Sequence, residues 1–513
     1  MTHSSISQLF AQSPKIRKLR DAIVTNGSSG SSDASEASPA AASSNRPKIR
    51  LQGLVGSSLS FILSDAFLHS DKPFLLIFND KEEAAYYLND LEQLIGEKDV
   101  LFYPGSYRRP YQIEETDNAN VLLRAEVLNR INSRKRPAVV VTYPDALFEK
   151  VVTRRELDKN TLKIKLDDSL SLDFLNEVLF EYKFKRVDFV TEPGEFSVRG
   201  GIVDVFSFSH DEPYRIEFFG DEVESIRTFD VETQLSTDKV KKISIIPNVA
   251  DKYLQEKRES FLKYISPKTI LFTKNPDYIF DRLDDFFGKA IEAFEKLSQD
   301  VKHAEPASLF MDSKSFRKQL KAFGTISMGT SEQRETSNAS DEDENKNPAN
   351  SVSHSSTGTH PITISFSTKP QPSFNKKFDL LIENLNGYKE KGYTNHIFCA
   401  SKQQAKRFHD IFEEIEGEVH YKTTVLPLYQ GFIDDDLKIV CYTDHQIFER
   451  YHKFYLKNGY AKKQAITLKE LNKLEIGDYV THIDHGIGKF GGLQKIDVQG
   501  SMQEAIKLMY GER

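Results

Sequence analysis

The sequence predicts a multidomain α/β protein, and three observations support this fold class. The chain has 513 residues, which suggests three or four domains at roughly 150 residues each. Before residue 150 and after residue 360, apolar strand-like runs alternate with amphipathic helical runs, as in parallel sheets with crossover helices. From Thr161 the period changes to short strands and turns, which predicts a small α+β domain at about residues 155–248, inserted into the first domain, before helices and strands return from Lys252 to Phe323.

The elements of the first domain follow in chain order. Pro14 opens a short helix in which Ile16, Leu19 and Ile23 recur at helical spacing. From Lys48 the run KIRLQGLVGSSLSFILSDAF predicts a strand, a loop and a helix. The remaining elements are strands at Pro73–Phe78, Asp99–Phe102 and Ala138–Thr142, and a helix at Lys81–Ile95.

Composition and periodicity also predict where the insertions, the second domain and the linker begin and end. Residues 26–46 and 324–359 are rich in small and polar residues, so we expect two disordered insertions. A strand is predicted at Ile362–Phe366. Residues 376–446 alternate helices and strands, with Ser401 capping one helix, which predicts a second small α/β domain. Residues 447–470 predict a linker helix, and residues 471–513 a β-rich segment.

That last segment has room for about three strands, whereas a small barrel needs about five. We therefore expect the chain to be part of a longer protein whose missing C-terminal part holds the chemistry.

The overall composition argues against several classes of protein. The net charge of −7 and pI of about 6.1 disfavour a general nucleic-acid coat. Cys399 and Cys441 lie in apolar runs, where we expect small core residues and a reducing compartment. There is no signal-peptide core, and no apolar run approaches the ~20 residues that span a bilayer, so the predicted location is the cytoplasm without membrane contact. His482 and His485 have too few neighbouring ligands, so no metal site is predicted.

The most informative run is EYKFKRVDFVTEPGEFSVRGGIVDVFSFSHDEPYRIEFFGDEVESIRTFD, which predicts an antiparallel meander. Alternation in the strand Tyr214–Phe219 places Arg215 and Phe219 on one face, and a hairpin turn leads into the strand Glu222–Phe229. Arg199 precedes Gly200-Gly201, where the strand is expected to kink or approach another backbone. Two interpretations remain open. Either Arg215 pairs with a carboxylate and Phe219 closes the back of the sheet, or all three side chains form an exposed docking patch.

The same run resembles a known family. RVDFVTEPGEFSVRGGIVDVFSFS and PYRIEFFGDEVESIRTFD are similar to the second domain of the UvrB-like module in bacterial transcription-repair coupling factors (Mfd). The similarity continues in FYPGSYRRPYQIEETDNANVLLRAEVL, TDHQIFERY and GDYVTHIDHGIGKF, and covers nearly the whole chain apart from the two insertions. It implies UvrB-like domains 1a (residues 1–152), 2 (153–250) and 1b (251–375), the small domain 376–446, the linker helix, and the start of a CarD-like Tudor/SH3-like β-barrel (471–513).

The resemblance also implies partners. In this family the second domain binds UvrA, through positions that match Arg199, Arg215 and Phe219, and the CarD-like domain binds the polymerase β subunit, through positions that match Lys495, Ile496 and Asp497. An adaptor that recruits UvrA to stalled RNA polymerase is therefore expected, with no catalysis of its own. The ATP- and Mg-dependent translocase, and most contacts with double-stranded DNA, are expected in the missing part. A monomer is expected.

The loop GLVGSSLS occupies the place of a phosphate-binding loop. Such a loop needs glycines, a lysine for the β- and γ-phosphates and a hydroxyl for Mg²⁺. By comparison with the UvrB pattern, Gly53 and Gly56 remain, Ser58 replaces a glycine, Leu59 replaces the lysine, and Ser60 keeps the hydroxyl. We expect a degenerate loop that keeps the fold without binding nucleotide, and no cofactor in this chain.

Two alternatives belong to other classes. A helicase-type enzyme would use GLVGSSLS and the acidic motif TDHQ at 443–446. A damage-specific DNA-binding protein would use the basic clusters at Arg108-Arg109, Arg134–Arg136 and Lys453–Lys463, although no Tyr-dense hairpin is visible between Tyr103 and Leu122.

Overall fold

The computed structural model describes residues 4–25, 49–106, 111, 118–133, 136–208, 210, 212–231, 233–246, 257–297, 304–329, 362–414, 419–452, 475–482, 486–498 and 501–510. The chain forms two compact units, Met1–Leu456 and Lys457–Arg513. The predicted α/β class is confirmed, because a large parallel sheet is accompanied by several smaller sheets.

The helices that the structure describes are labelled α1 to α15 in chain order. They are Ser4–Gln12, Pro14–Thr25, Ser58–Leu68, Lys81–Ile95, Asn118–Ser133, Pro144–Phe148, Arg154–Lys159, Leu172–Glu181, Phe261–Tyr264, Pro276–Glu295, Pro306–Leu309, Ser313–Leu320, Phe378–Glu390, Lys402–Glu414 and Asp444–Ile447. One 3₁₀ turn spans Glu97–Asp99.

The strands that the structure describes are labelled β1 to β25. They are Ile49–Gln52, Phe74–Ile77, Val100–Tyr103, Val139–Thr142, Val151–Val152, Leu162–Lys165, Lys185–Arg186, Glu195–Arg199, Ile202–Val205, Tyr214–Phe219, Glu222–Phe229, Ser236–Lys239, Lys242–Ile245, Arg258–Glu259, Ile270–Thr273, Gly324–Met328, Ile362–Ser365, Thr368–Pro370, Thr394–Cys399, Lys422–Val425, Phe432–Asp434, Ile439–Thr443, Tyr479–His482, Gly486–Val498 and Ser501–Met509.

The largest sheet has seven parallel strands in the order β17-β1-β16-β15-β2-β4-β3. Strands β2, β3, β4 and β15 are buried along their whole length, as expected for a parallel sheet that is covered on both faces. The N-terminal helices belong to the same core. Phe10 of α1 stacks on Phe61 of α3 with 4.8 Å between ring centroids, and the predicted apolar face of α2 is buried.

The predicted insertion at 324–359 is wrong at its start. Gly324–Met328 forms β16, a strand that pairs in parallel with both β1 and β15. Ile326 and Met328 are buried in the core. Two apolar side chains that alternate with polar ones gave a weak signal beside a long Ser- and Asn-rich run. Residues 330–361, like residues 26–48, lie outside the described part of the chain.

The region between the two halves of the large sheet contains a six-stranded sheet in the order β12-β11-β10-β9-β8-β7. Strands β7 and β8 pair in parallel, and the other neighbours pair antiparallel. One face of this sheet packs against α8 through a core that includes Leu175 and Leu179 of the helix. The opposite face carries the predicted Arg and Phe positions.

The second α/β region has a five-stranded sheet in the order β18-β21-β22-β19-β20. Ser401 caps α14 as predicted, because its Oγ accepts a hydrogen bond from the backbone N of Gln404 (3.2 Å). Both cysteines are free and buried, as predicted. The predicted linker helix from residue 447 is wrong at its start. Helix α15 ends at Ile447 and residues 448–452 are not helical, while residues 453–474 lie outside the described residues.

In the unit Lys457–Arg513, β23, β24 and β25 form an antiparallel sheet in that order. Searched over the described residues, no helix combines the length and apolarity needed to cross a bilayer.

Candidate docking surface and phosphate-loop position

Residues 53–57 join β1 to α3, the position at which a phosphate-binding loop would lie. Gly53 and Gly56 both have positive φ angles, 74° and 54°. A Cβ atom at Gly53 would overlap the carbonyl oxygen of Phe366, and one at Gly56 would lie 2.9 Å from that of Gly431. Both glycines are therefore explained by close approach of the chain's own backbone.

The chain's own groups also occupy amides of this loop. The backbone N of Val55 donates to Thr368 Oγ1 (3.0 Å) and to Ser58 Oγ (3.2 Å). The backbone N of Ser57 donates to the carbonyl of Gln430 (3.1 Å), whose own N donates to Ser57 Oγ (3.0 Å). In a working phosphate loop such amides point at phosphate oxygens. Here the amides of Val55 and Ser57 donate instead to Thr368 and Gln430 of the same chain.

The residues after the loop face the core. Leu59, at the lysine position, is buried among apolar side chains. Ser60 Oγ donates to Asp90 Oδ2 (2.8 Å), and the backbone N of Tyr429 donates to Asp90 Oδ1 (2.8 Å). Burial raises the pKa of Asp90 to about 6, against the opposing effect of these hydrogen bonds. The hydroxyl that serves Mg²⁺ in a working loop is here bonded to a buried carboxylate.

The motif TDHQ lies at the end of β22 and is engaged in local bonds. Asp444 is buried, accepts from the backbone N of Ala400 (3.2 Å) and lies 3.4 Å from Arg450 Nη2. Gln446 Oε1 accepts from the backbone N of Gly431 (2.7 Å) and from Thr443 Oγ1 (2.9 Å). The segment 430–431 is thus bonded to the phosphate-loop position on one side and to this motif on the other.

The alternation predicted for the meander is confirmed. Tyr214, Ile216 and Phe218 of β10 point into the core shared with α8, and Arg215 lies on the other face. The predicted turn at Gly220-Asp221 is also confirmed, because β10 pairs with β11 on either side of it.

Gly200-Gly201 forms a turn between strands instead of the expected kink. Arg199 pairs with Ile202 across this turn, and Gly200 has a φ of 60°. A Cβ at Gly201 would lie 2.9 Å from the carbonyl oxygen of Phe218, so the close backbone approach predicted there does occur.

Asp204 organises the outer face of the sheet. It lies directly opposite Arg215 in the β9–β10 register. Arg215 binds it with two hydrogen bonds, Nε to Oδ1 (2.7 Å) and Nη2 to Oδ2 (2.9 Å), and Arg199 Nη2 also donates to Oδ2. The Asp204 side chain is fully buried beneath the two guanidinium groups. This bidentate contact raises the pKa of Arg215 above its ordinary value.

The prediction that Arg199 and Arg215 are both exposed is therefore wrong for Arg215. Only 15% of the Arg215 side chain is exposed, because it lies 4.6 Å above the Phe229 ring and donates from Nη1 to the carbonyl of Gln234 (3.1 Å). Arg199 is 42% exposed and Phe219 is 78% exposed. Neither open interpretation holds entirely, since Arg215 pairs with a cross-strand carboxylate while Phe219 projects into solvent.

Two residues of this face were not identified from the sequence. Asp204 gives no local signal, because its partners lie on neighbouring strands. Phe189 is 60% exposed, and its ring centroid lies 5.5 Å from Cζ of Arg199. In the string VDFV, Phe189 is one of three apolar residues around Asp188, which is too weak a pattern to mark a surface ring.

The predicted polymerase-contact positions lie in β24. Lys495, Ile496 and Asp497 pair through their backbones with Glu504, Gln503 and Met502 of β25. Among the described residues no strand pairs with their other edge, since β23 reaches β24 only at residues 486–489.

The remaining candidates from the sequence are two histidines as metal ligands and three basic clusters as nucleic-acid contacts. His482 ends β23, and His485 lies outside the described residues. The search of the described residues finds no metal-binding group of three or more His, Cys, Asp or Glu side chains. Of the basic clusters, only Arg136 is described, and it pairs with Asp99 (3.1 Å).

Replacing Asp204 by Ala is expected to lower the free energy of unfolding by about 3 kcal/mol, because Arg215 loses its carboxylate in a largely buried position. Urea unfolding of the two proteins measures the difference. Glu217→Ala is the matched control, since Glu217 forms a more exposed pair with Arg227 and its loss is expected to cost below about 1 kcal/mol. Equal losses in the two variants would contradict the organising role of Asp204.

The raised pKa of Asp90 predicts a pH effect. The folded state binds this proton more tightly than the unfolded state, so Asp90 lowers stability as pH rises from about 4 to about 6. Asp90→Asn removes this contribution, and the stability of the variant relative to the parent is expected to rise by about 3 kcal/mol across that range. Urea unfolding at pH 4, 5, 6 and 7 tests this, and a pH-independent difference would show that Asp90 titrates normally.

Comparison with known proteins supports the resemblance seen in the sequence. The model of the UvrB interaction domain matches residues 162–250, which contain the sheet with Asp204. The model of the CarD-like/TRCF RID domain matches residues 474–512.

Curated relatives named transcription-repair-coupling factor align with most of the chain. The one from Bacillus subtilis (strain 168) is 24% identical over 90% of this chain and 43% of its own length. Those from Staphylococcus aureus strains RF122 / ET3-1 and Mu50 are 25% and 26% identical, each over 89% of this chain and 43% of the relative. The chain thus spans less than half the length of these relatives. The predicted resemblance is confirmed: the chain contains regions that match the UvrB interaction domain and the CarD-like/TRCF RID domain, and most of its length is similar to curated transcription-repair-coupling factors.

Proposed function

We propose that this chain is an adaptor that recruits UvrA to RNA polymerase stalled at DNA lesions, in transcription-coupled nucleotide excision repair. The observation that carries the proposal is Phe219, a phenyl ring that projects into solvent at a hairpin tip within the region matched as a UvrB interaction domain. Exposed aromatic and arginine side chains on one face have the composition that is enriched at interface hot spots. Arg199 supplies that partly exposed cation, and Arg215 supports it through Asp204.

The second partner is the polymerase β subunit, bound through the unit Lys457–Arg513. The CarD-like match and the unpaired backbone edge of β24 at residues 495–497, within the described residues, support this. An added strand from the partner would pair with that edge through main-chain hydrogen bonds.

This chain acts without nucleotide and without a metal ion. The occupied amides of the loop 53–57 and the apolar Leu59 support this part of the proposal. ATP hydrolysis with Mg²⁺, translocation along double-stranded DNA and the main DNA contacts belong to a further part of the full-length protein. The chain works as a cytoplasmic monomer.

Replacing Phe219 by Ala is expected to weaken binding to UvrA of the same organism at least about tenfold, since an anchoring aromatic residue contributes 1.4 kcal/mol or more. Biolayer interferometry with immobilised UvrA measures the dissociation constant. Phe174→Ala is the matched control, because Phe174 is also an exposed phenyl group but lies on α8, which packs against the opposite face. Equal affinity of parent and Phe219→Ala, or equal loss in both variants, would remove this surface from the interface.

Titration with a fluorescent ATP analogue distinguishes the adaptor from a helicase-type enzyme. We expect no saturable binding at micromolar concentrations, because the backbone amides of Val55 and Ser57 are engaged and Leu59 stands where a working loop has its lysine. Leu59→Lys is not expected to restore binding, since it buries a cation and leaves the amides occupied. Micromolar affinity in the parent protein would contradict the proposal.

A further inference from the structure

Three side chains lie together at one end of the outer face of the six-stranded sheet. They are Phe189, Arg199 and Phe219, and each is substantially exposed. Arg199 is the last residue of β8, and Phe219 is the last residue of β10. Phe189 was absent from the patch predicted from the sequence, and Arg215, which belonged to it, is largely covered.

The strand register fixes how close these residues are. Arg199 pairs with Ile202, which in turn pairs with Glu217, and Phe219 follows Glu217 by two residues on the same face. Neighbouring strands are about 4.8 Å apart and the strand rises about 3.3 Å per residue, so the backbones of Arg199 and Phe219 are separated by roughly 12 Å. Both residues adjoin tight turns, Gly200-Gly201 and Gly220-Asp221, which leaves space above the strand ends.

Phe189 is held beside Arg199 by specific contacts. The carbonyl of Asp188 accepts from Ser197 Oγ (3.1 Å) and from Arg199 Nη1 (3.4 Å), which ties residues 188 and 189 to the outer face of β8. The guanidinium of Arg199 is fixed from the other side by Asp204. Its position 5.5 Å from the Phe189 ring centroid is within the range of a cation–π contact.

We propose that Phe189 is a second aromatic anchor for UvrA, and that Arg199 both orients this ring and presents its remaining N–H donors to the partner. This rests on the proposed function and extends it. The docking surface is then two phenyl groups on either side of one arginine, and it fits a partner surface with two apolar recesses that flank a carboxylate or carbonyl acceptor. A few residues carry most of the binding energy in typical interfaces, and aromatic and arginine side chains are enriched at such positions.

Other exposed apolar residues of the UvrB interaction domain do not share this arrangement. Phe174 and Phe180 lie on α8, which packs against the opposite face of the sheet. Leu235 precedes β12, the edge strand farthest from β8. Phe189, by contrast, contacts Arg199, which lies on the same outer face as Phe219.

The test measures binding of the full chain to purified UvrA by biolayer interferometry for Phe189→Ala, Phe189→Leu, Arg199→Ala and the double variant Phe189→Ala/Arg199→Ala. We expect Phe189→Ala to weaken binding at least about tenfold and Phe189→Leu to weaken it less, because leucine keeps part of the apolar area. The double variant is expected to lose less than the product of the two single losses, because the two side chains act together. Phe174→Ala serves as the matched control, and thermal unfolding of each variant shows that the fold is retained.

The outcomes separate this inference from the proposed function. If the parent binds UvrA and Phe219→Ala weakens binding while Phe189→Ala does not, the second anchor is overturned and the adaptor function stands. If Phe189 and Arg199 contribute independently, the orienting role of Arg199 is overturned. If the parent chain does not bind UvrA, the proposed function itself fails.

Discussion

The outer face of the six-stranded sheet depends on one buried carboxylate. Asp204 receives hydrogen bonds from Arg215 and Arg199, which reach it from the strands on either side. A fully buried charge is tolerated only when it is paired and hydrogen-bonded, so this contact fixes the register and the side-chain positions of three adjacent strands at once. The partly exposed Arg199 and the phenyl groups near it gain a rigid support, which lowers the entropy lost when a partner binds.

At the phosphate-loop position, contacts within the chain also fix the local geometry. Here they fill the site instead of supporting an exposed surface. A strand, a turn with two positive-φ glycines and a helix follow one another here, in the order found at phosphate-binding loops. The space and the amides are nevertheless taken by residues 366–368 and 430–431 of the same chain. The loop now joins the large sheet to the second α/β region. Leu59 fits this structural role, because its side chain packs into the core beside the loop.

The sequence predicted local elements well and long-range pairings poorly. The bounds of Lys81–Ile95, Tyr214–Phe219 and Glu222–Phe229 agree with the structure, because period and turn residues are local properties. Strand Gly324–Met328 was missed because its partners are distant in the sequence. Strand β1 lies more than 250 residues earlier, and β15 lies about 50 residues earlier. That Arg215 pairs with a carboxylate was one of the two interpretations from the sequence. The residues that cover it, Asp204, Phe229 and Gln234, could not be identified because they lie on different strands and turns.

Hydrogen–deuterium exchange of the chain with and without UvrA tests the central claim most directly. If the end of the sheet supported by Asp204 is the docking surface, UvrA slows exchange in peptides covering residues 187–202 and 217–222 and leaves α8 (Leu172–Glu181) unchanged. Protection confined to α8, or absent from both strand ends, would contradict the account.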